Sequence, residues 1–390
     1  MKIAQVSPYD FAYPGGANNH IFYLEHELAR LGHETRIIAP ASDPTVVGRH
    51  PRLTVIGKPT SVPTGGSVAR IALSVRLSTQ VKTLLEQEQF DIVHLHEPLM
   101  PMLPLTFLRH SKSINVGTFH AYHDQRRFPV QAYFYGRRIL RRWFRRLHGR
   151  IAVSEPARQF VQRYFPGDYT IIPNGIDCAR FSDPRVPLGQ FADGKVNLLF
   201  VGRWEPRKGL KYLIRAFALV QREFPNTRLI VVGPDGGHRA AMEQTLSGMG
   251  LAGHVALVGQ VADDELPRYY QSADIFCYPN TGSESMGIVL LEAMAAGKPL
   301  VASAIQGALY LVRQDEGILV PPKDHTALAM AIVHLIADRD LQMRMGEQGR
   351  LTAQAYSWPR IAARIVAYYE ELLVRHRLGE AVPLAARQTG

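Results

Sequence analysis

Apolar positions recur along this chain with two spacings that take turns. Short, mostly apolar runs of the kind found in strands buried on both faces occur at Lys2–Ser7, Glu34–Ala39, Asp91–His96, Asn115–Phe119, Gly149–Ser154 and Tyr169–Ile172. Helical spacing separates them: Asn19–Leu31, closed by Gly32 where a helix end favours glycine, then Val68–Gln87, Met100–His110 and Glu155–Phe165. Ser42–Gly66 reads as an irregular polar segment. Repeated β-α units of this kind predict a parallel, doubly wound sheet.

The rhythm breaks at Pro173-Asn174-Gly175-Ile176-Asp177 and stays broken to Lys195, in a stretch rich in Pro, Gly and Asp that suits a linker. It then restarts. Strands are predicted at Asn197–Val201, Arg228–Val232, Val255–Leu257, Ile275–Tyr278 and Leu300–Ser303. Helices are predicted at Gly209–Phe224, His238–Met249, Glu265–Ser272, Ile288–Ala296 and Thr326–Asp338, with a last one at Trp358–Val374 and a loose tail from Arg375. The expected organisation is α/β throughout: a first domain over 1–175, a linker over 176–195, a second domain over 196–355, a further helix over 356–374 and a tail over 375–390. Two such domains in series imply a cleft, with ligands at the carboxyl ends of the strands.

Composition narrows the class. At 390 residues, two domains are the natural expectation, and 46% hydrophobic with 20% charged residues fits a globular protein. Cys178 and Cys277 are the only cysteines and lie far apart, which argues against a disulfide framework or a structural zinc site and for a reducing compartment. The start, MKIAQVSPYD, enters directly as a strand without the pattern of a secretory signal. No run of roughly 18 apolar residues is present, so no transmembrane helix is expected. The net charge of +11 is local. Residues 126–150 hold nine arginines and no acid or lysine; without them, 36 of the 45 basic residues remain against 34 acids.

Four places have the chemistry of a site. Asn280–Gly297, NTGSESMGIVLLEAMAAG, sets Glu284 in a small-residue loop and Glu292 on the apolar helix that follows. That spacing lets both carboxylates reach one extended ligand, while free N–H groups at the helix start can take an anion; solvated acids on a buried helix would show the same spacing. Pro14-Gly15-Gly16 follows the first strand and opens onto the first long helix, as a phosphate-binding turn or simply as a tight one. It is not a dinucleotide fingerprint. Gly202–Gly209, GRWEPRKG, sits at the equivalent place in the second domain, where Arg203 and Lys208 make a sensible pair for a diphosphate. His120 ends a strand in GTFHAYHD; His94, His96 and His123 lie near it in sequence. His94 and His96 share a strand face with no carboxylate partner, so no metal site is expected.

The arginines have a pattern of their own. Over Ala132–Arg150, Arg137, Arg138, Arg141, Arg142, Arg145 and Arg146 fall on one half of a helical wheel, and Ile139, Leu140, Trp143, Phe144 and Leu147 on the other. This is the pattern of an interfacial helix on anionic lipid. It also fits a packed surface helix with a solvated arginine face. Nucleic-acid binding is disfavoured, because no nucleic-acid module is present.

Taken together, the Gly15-Gly16 turn, HLHEP (94–98), GTFH (117–120), IAVSEPAR (151–158), IPNGID (172–177), VGRWEPRKG (201–209) and the paired glutamates resemble the family 4 retaining glycosyltransferases of the GT-B fold, over essentially the whole chain. Within that family the chain is most similar to the phosphatidylinositol mannosyltransferases, through VSPYDFAYPGGANNH, GSVARI, HLHEP and NTGSESMGIVLLEAMAAG; the similarity is weaker over 121–148. The resemblance implies two Rossmann-like domains facing each other across a cleft, with the last helix crossing back to the first. It implies a nucleotide diphosphate sugar donor, GDP-mannose or a UDP-hexose, held by Gly15, Gly16, Arg203, Lys208, Glu284, Ser285, Met286, Gly287, Ile288 and Glu292. His120, Arg203, Lys208 and Glu284 would carry the chemistry, and Tyr9, Asn18 and His120 would meet a lipid-linked or polyol acceptor such as phosphatidylinositol. Arg137, Arg138, Arg141, Arg142, Trp143, Phe144, Arg145 and Arg146 would bind an anionic membrane, placing the protein on the cytoplasmic face, with no metal required. Two alternatives stay open: a soluble transferase acting on a sugar, sugar phosphate or polysaccharide, and a nucleotide-sugar epimerase or non-catalytic binder. The oligomeric state is not read from the sequence.

Overall fold

The computed structural model describes residues 1–13, 15–43, 45–64, 67–72, 77–122, 130–184 and 187–379; His123, Pro14 and the tail beyond 379 lie outside them. The chain divides into two compact units, Met1–Gly175 with Trp358–Gly390, and Ile176–Ser357.

The first unit runs β1 (Lys2–Val6), α1 (Gly16–Arg30), β2 (Glu34–Ala39), α2 (Val46–Arg49), β3 (Leu53–Val55), β4 (Pro59–Thr64), β5 (Ser67–Ala72), α3 (Leu77–Glu88), β6 (Ile92–His96), α4 (Leu103–His110), β7 (Ile114–Phe119), α5 (Val130–Phe144), β8 (Gly149–Ala152), α6 (Glu155–Gln162) and β9 (Thr170–Ile171). Seven of these strands form one parallel sheet in the order β3-β2-β1-β6-β7-β8-β9, and β4 pairs with β5 as an antiparallel ribbon. The second unit runs α7 (Cys178–Ser182), β10 (Val196–Val201), α8 (Leu210–Glu223), β11 (Thr227–Val232), α9 (Arg239–Gly248), β12 (Val255–Gly259), α10 (Leu266–Ser272), β13 (Ile275–Tyr278), α11 (Ile288–Ala295), β14 (Leu300–Ser303), α12 (Gln306–Leu311), β15 (Gly317–Val320), α13 (His325–Ala337) and α14 (Arg339–Ala355). Its parallel sheet has the order β12-β11-β10-β13-β14-β15. The last helix, α15 (Trp358–Arg377), belongs to the first unit.

The period of two divides each core between the faces of its sheet. Leu198, Phe200, Leu229 and Val231 pack on one side of the second sheet; Leu199, Ile230 and Val232 pack on the other. In the first unit, Ala4, Val6, Val93 and Leu95 face α3 and α4. Ile3, Ile92, Ile114 and Val116 face α1 and α15, meeting Leu24, Leu28, Trp358, Ile361 and Tyr369. That second face turns polar toward the carboxyl ends of its strands, where Gln5, His94, His96 and Thr118 follow in register.

Several expected elements differ. Val68–Gln87 is not one helix: Ser67–Ala72 pairs with β4, and the helix starts at Leu77. Apolar residues at 68, 69, 71 and 72 fit either period, and a partner strand decides the outcome. Ser42–Gly66, expected to be irregular, holds α2, β3 and β4. The stretch 176–195 is part of the second unit rather than a free linker, since α7 and the following turn bury Cys178, Phe181 and Phe191. After Ser303 the expectation lacked α12, the edge strand β15 and α14, and α15 continues through Arg377.

Candidate functional site

In each sheet the strand order reverses once, between β1 and β6 in the first and between β10 and β13 in the second. Loops leaving the two central strands diverge there and open a crevice at their carboxyl ends. The expected site residues fall at these two places.

In the second unit, β10 delivers the loop carrying Arg203 and Lys208, and β13 delivers the loop carrying Glu284. Gly209 joins them. It has φ +72°, and a Cβ there would lie 1.9 Å from the carbonyl oxygen of Pro279, so only glycine lets the loops touch. The Thr281 amide then donates to the Arg207 carbonyl across the contact at 2.8 Å. Glu284 Oε2 receives Lys208 Nζ (2.5 Å), Arg207 Nη1 (3.2 Å) and Asn280 Nδ2 (3.3 Å). Burial pushes this carboxyl up, but Lys208 and Arg207 outweigh it and hold Glu284 below the usual carboxylate range, so it is ionised. Arg207 Nε also bonds Glu205 Oε2 at 2.9 Å. Arg203 is the least committed cation, with its side chain 42% exposed and its Nη1 3.5 Å from Glu205 Oε1. Three cations face two carboxylates here, a formal charge of +1 that favours an anion without committing every donor.

Gly287, φ +73°, is the N-cap of α11, which has no side-chain cap, so first-turn N–H groups are left for a ligand. Glu292 lies one helical turn further on and accepts from Tyr270 Oη at 2.6 Å. Burial raises its carboxyl to about 7 against the pull of Tyr270 and Arg180. Ser285 and Ile288 are half-buried, whereas the Met286 side chain is fully buried in the core. Any ligand contact by Met286 is therefore through its main chain.

In the first unit, Gly15 caps α1 in extended backbone, and a Cβ added to it meets nothing within 4 Å. The fold does not require glycine at that position. Asn18 is spoken for: its Oδ1 accepts from Ser7 Oγ (3.0 Å), and its Nδ2 donates to the Asp10 (2.8 Å) and Tyr13 (3.1 Å) carbonyls. It braces the loop with both amide protons committed, and one lone pair of Oδ1 is left over. Tyr9 is half-buried, and burial followed by the Glu97 carboxylate pushes its phenol well above the usual range.

His120 ends β7. Its Nε2 is 3.0 Å from His96 Nδ1, and its amide, like that of Ala121, donates to Glu97 Oε1 (2.7 and 2.8 Å). Burial lowers its pKa to about 4, so it meets a ligand as a neutral imidazole. Glu97 has φ +50°, is buried, and is raised by that burial to about 7. Sequence reading missed Glu97, His20, Arg207 and Tyr270. For Arg207 the signal was present, since GRWEPRKG sets it beside Lys208; the others are brought in by other elements.

The arginine helix differs in kind. Phe144 is buried against Phe165 and Tyr169 (ring centroids 5.4 and 6.2 Å), with the Arg150 guanidinium 4.5 Å over its ring. Leu147 is buried, and Leu140 and Trp143 pack on the same core. The apolar face over 140–147 thus covers this unit's own core, so Phe144 is not available to a membrane. Arg146 donates to the Ser111 carbonyl at 3.1 Å. Arg138, Ile139, Arg141, Arg142 and Arg145 remain exposed, Ile139 at 69%. Among the described residues no helix is long and apolar enough to cross a membrane.

Two parallel sheets of this type are the architecture of GT-B glycosyltransferases, and a charged loop at one switch point with an uncapped helix beside it suits a phosphate-bearing ligand. Comparison with known families agrees. Residues 189–352 match the family model "Glycosyl transferases group 1" and 14–180 match "Glycosyltransferase Family 4". The chain belongs to the family 4 glycosyltransferases. It is 36% identical to a phosphatidyl-myo-inositol mannosyltransferase of Mycobacterium leprae over 95% of this chain and 96% of that one. It is 33% identical to a GDP-mannose-dependent alpha-(1-6)-phosphatidylinositol monomannoside mannosyltransferase of Mycobacterium tuberculosis over half of this chain and 54% of that one. Its fold matches that of Anabaena HepE in complex with UDP, with a TM-score of 0.76 at 21% identity over 95% of this chain and all of that one.

Proposed function

We propose that this glycosyltransferase moves mannose from GDP-mannose to phosphatidylinositol or a related lipid-linked polyol, with retention of the α configuration. The observation that carries the donor half is the Arg203–Arg207–Lys208–Glu284 cluster beside the uncapped start of α11. Arg203 and Lys208 take the diphosphate and stabilise the charge that develops as it leaves. Glu284, ionised and steadied by Lys208 and Arg207, grips the sugar; Glu292 takes the ribose hydroxyls. Ser285, Gly287 and Ile288 present main-chain donors, and Gly15 and Gly16 let a phosphate approach the backbone.

His120, neutral and half-buried, is suited to a sugar hydroxyl rather than to an anion. No carboxylate is required as a covalent nucleophile, unlike the pair in a retaining glycosidase: the leaving phosphate takes the acceptor proton on the face from which it departs. No metal is required by this chemistry. The exposed arginines of α5 hold the protein on an anionic membrane by charge, since the neighbouring apolar residues are buried; the cytoplasmic leaflet is the proposed surface. The acceptor half rests on the relatives' names. Incubating GDP-[14C]mannose with phosphatidylinositol vesicles tests it. Labelled lipid is expected, and label passing only to water-soluble acceptors would replace the lipid acceptor with a soluble one.

A further inference from the structure

Four histidines gather around the carboxyl ends of β1, β6 and β7 in the first unit. His94 bonds Tyr369 Oη through Nδ1 and Thr118 Oγ1 through Nε2, each at 2.6 Å. His96 also has both ring nitrogens engaged, Nε2 with Gln5 and Nδ1 with His120, and the second of these bonds is the one an ion would replace. We propose that His20, His96 and His120 form a three-imidazole site for a divalent transition metal of the zinc class.

One nitrogen from each ring lies within 4.8 Å of those of the other two. The ring centroids are 5.4, 5.0 and 5.3 Å apart. Orientation supports ligation. His96 Nε2 is 2.8 Å from Gln5 Oε1, and an amide oxygen only accepts, so His96 carries its proton there and turns the Nδ1 lone pair toward His120. Ligating imidazoles are commonly steadied by such an outer bond. His120 Nε2 stands 3.0 Å from that lone pair as the donor. Two nitrogens on one tetrahedral zinc, each about 2.0–2.1 Å from it, sit about 3.3 Å apart. The ion therefore replaces the shared proton with a small opening, and the His120 proton moves to Nδ1 of the same ring.

His20, delivered from α1, supplies the independent observation. It is 3% exposed, and no hydrogen bond of good geometry reaches either ring nitrogen; its polar neighbour is the Asn174 side chain, which it shares with His120 in a looser contact. Buried polar groups usually find partners, and an ion here gives His20 one. Burial keeps all three rings neutral, the form that binds metal. Imidazole ligands select zinc, cobalt, nickel or copper over magnesium or calcium. The site does not depend on the transferase reading, although an ion on His120 would compete with the sugar contact proposed for it.

The test is titration of the metal-free full chain with Co2+, read by visible absorption. One ion per chain is expected, with the strong bands of low-coordinate cobalt, displaced by Zn2+ and unaffected by Mg2+. His20→Ala and His120→Ala are each expected to weaken binding about 100-fold or more, with cooperative melting kept as evidence of folding. Absent bands in the wild type, or equal affinity in either folded variant, would overturn the site. If His20→Ala does not fold, His120→Ala at the half-buried edge decides alone.

Discussion

The two switch points of this chain are the same device with opposite electrostatics. In the second unit the loops at the switch point stay charged, although burial raises Glu292 on the helix beyond: Glu284 is pulled below its usual range by Lys208 and Arg207, and Arg203 keeps much of its guanidinium in solvent. In the first unit burial dominates: it lowers His120 to about 4 and raises Glu97 to about 7. Opposite charges packed within hydrogen-bond reach offset the cost of burial in one case; in the other no such counterion is supplied, and burial wins. One crevice suits a diphosphate and the other suits hydroxyls or a metal ion. On the proposed reading, a single fold plan divides most of the work of donor and acceptor by what its loops carry, with Gly15 and Gly16 the donor contacts proposed in the first unit.

Substitutions that break the charged side are expected to have the largest effect. Lys208→Ala or Arg203→Ala is predicted to lower the transfer rate about 100- to 1,000-fold, as removing one preorganised charge contact does, while the circular dichroism melt stays cooperative. Near-normal turnover in either variant would remove the diphosphate reading. Next comes the surface contact. Replacing Arg138, Arg141, Arg142 and Arg145 by Ser is predicted to release the protein from anionic vesicles, each arginine counting for about 1 kcal/mol near such a surface. Sedimentation with liposomes that is equal for both proteins and insensitive to salt would contradict it.

The smallest effect concerns Glu292. Its folded pKa is about 7 against 4.5 unperturbed, so the unfolded carboxyl ionises first. The stability that the buried neutral form contributes is complete below 4.5 and is lost as pH rises through 7. Glu292→Gln is therefore predicted to gain a few degrees of Tm relative to wild type between pH 5 and 8, while binding GDP more weakly. A Tm difference that does not change with pH would show that Glu292 is not held in its neutral form.

The sequence was informative where chemistry is local. Gly202–Gly209 and Asn280–Gly297 are contiguous, so the spacing of Arg203, Lys208, Glu284 and Glu292 was legible along the chain, and the fold brings the first three of these together. What arrives from another element was not. His20 reaches His96 and His120 only because α1 lies on that face of the sheet, and Glu97 reaches the His120 amide only through its positive φ. Periodicity also shows which face of a helix is apolar without showing what covers it. Phe144 and Leu147 read as a membrane face and proved to be core. Val68–Gln87 shows the same limit in the backbone, because its apolar spacing was compatible with the strand that β4 claims.

The most direct check on the division of labour is the dissociation constant of GDP, measured by calorimetry on wild type, Lys208→Ala and His120→Ala. The account predicts binding weakened tenfold or more in Lys208→Ala, about 1.4 kcal/mol, and unchanged within about twofold in His120→Ala. Equal losses in the two variants, or a loss confined to His120→Ala, would contradict it.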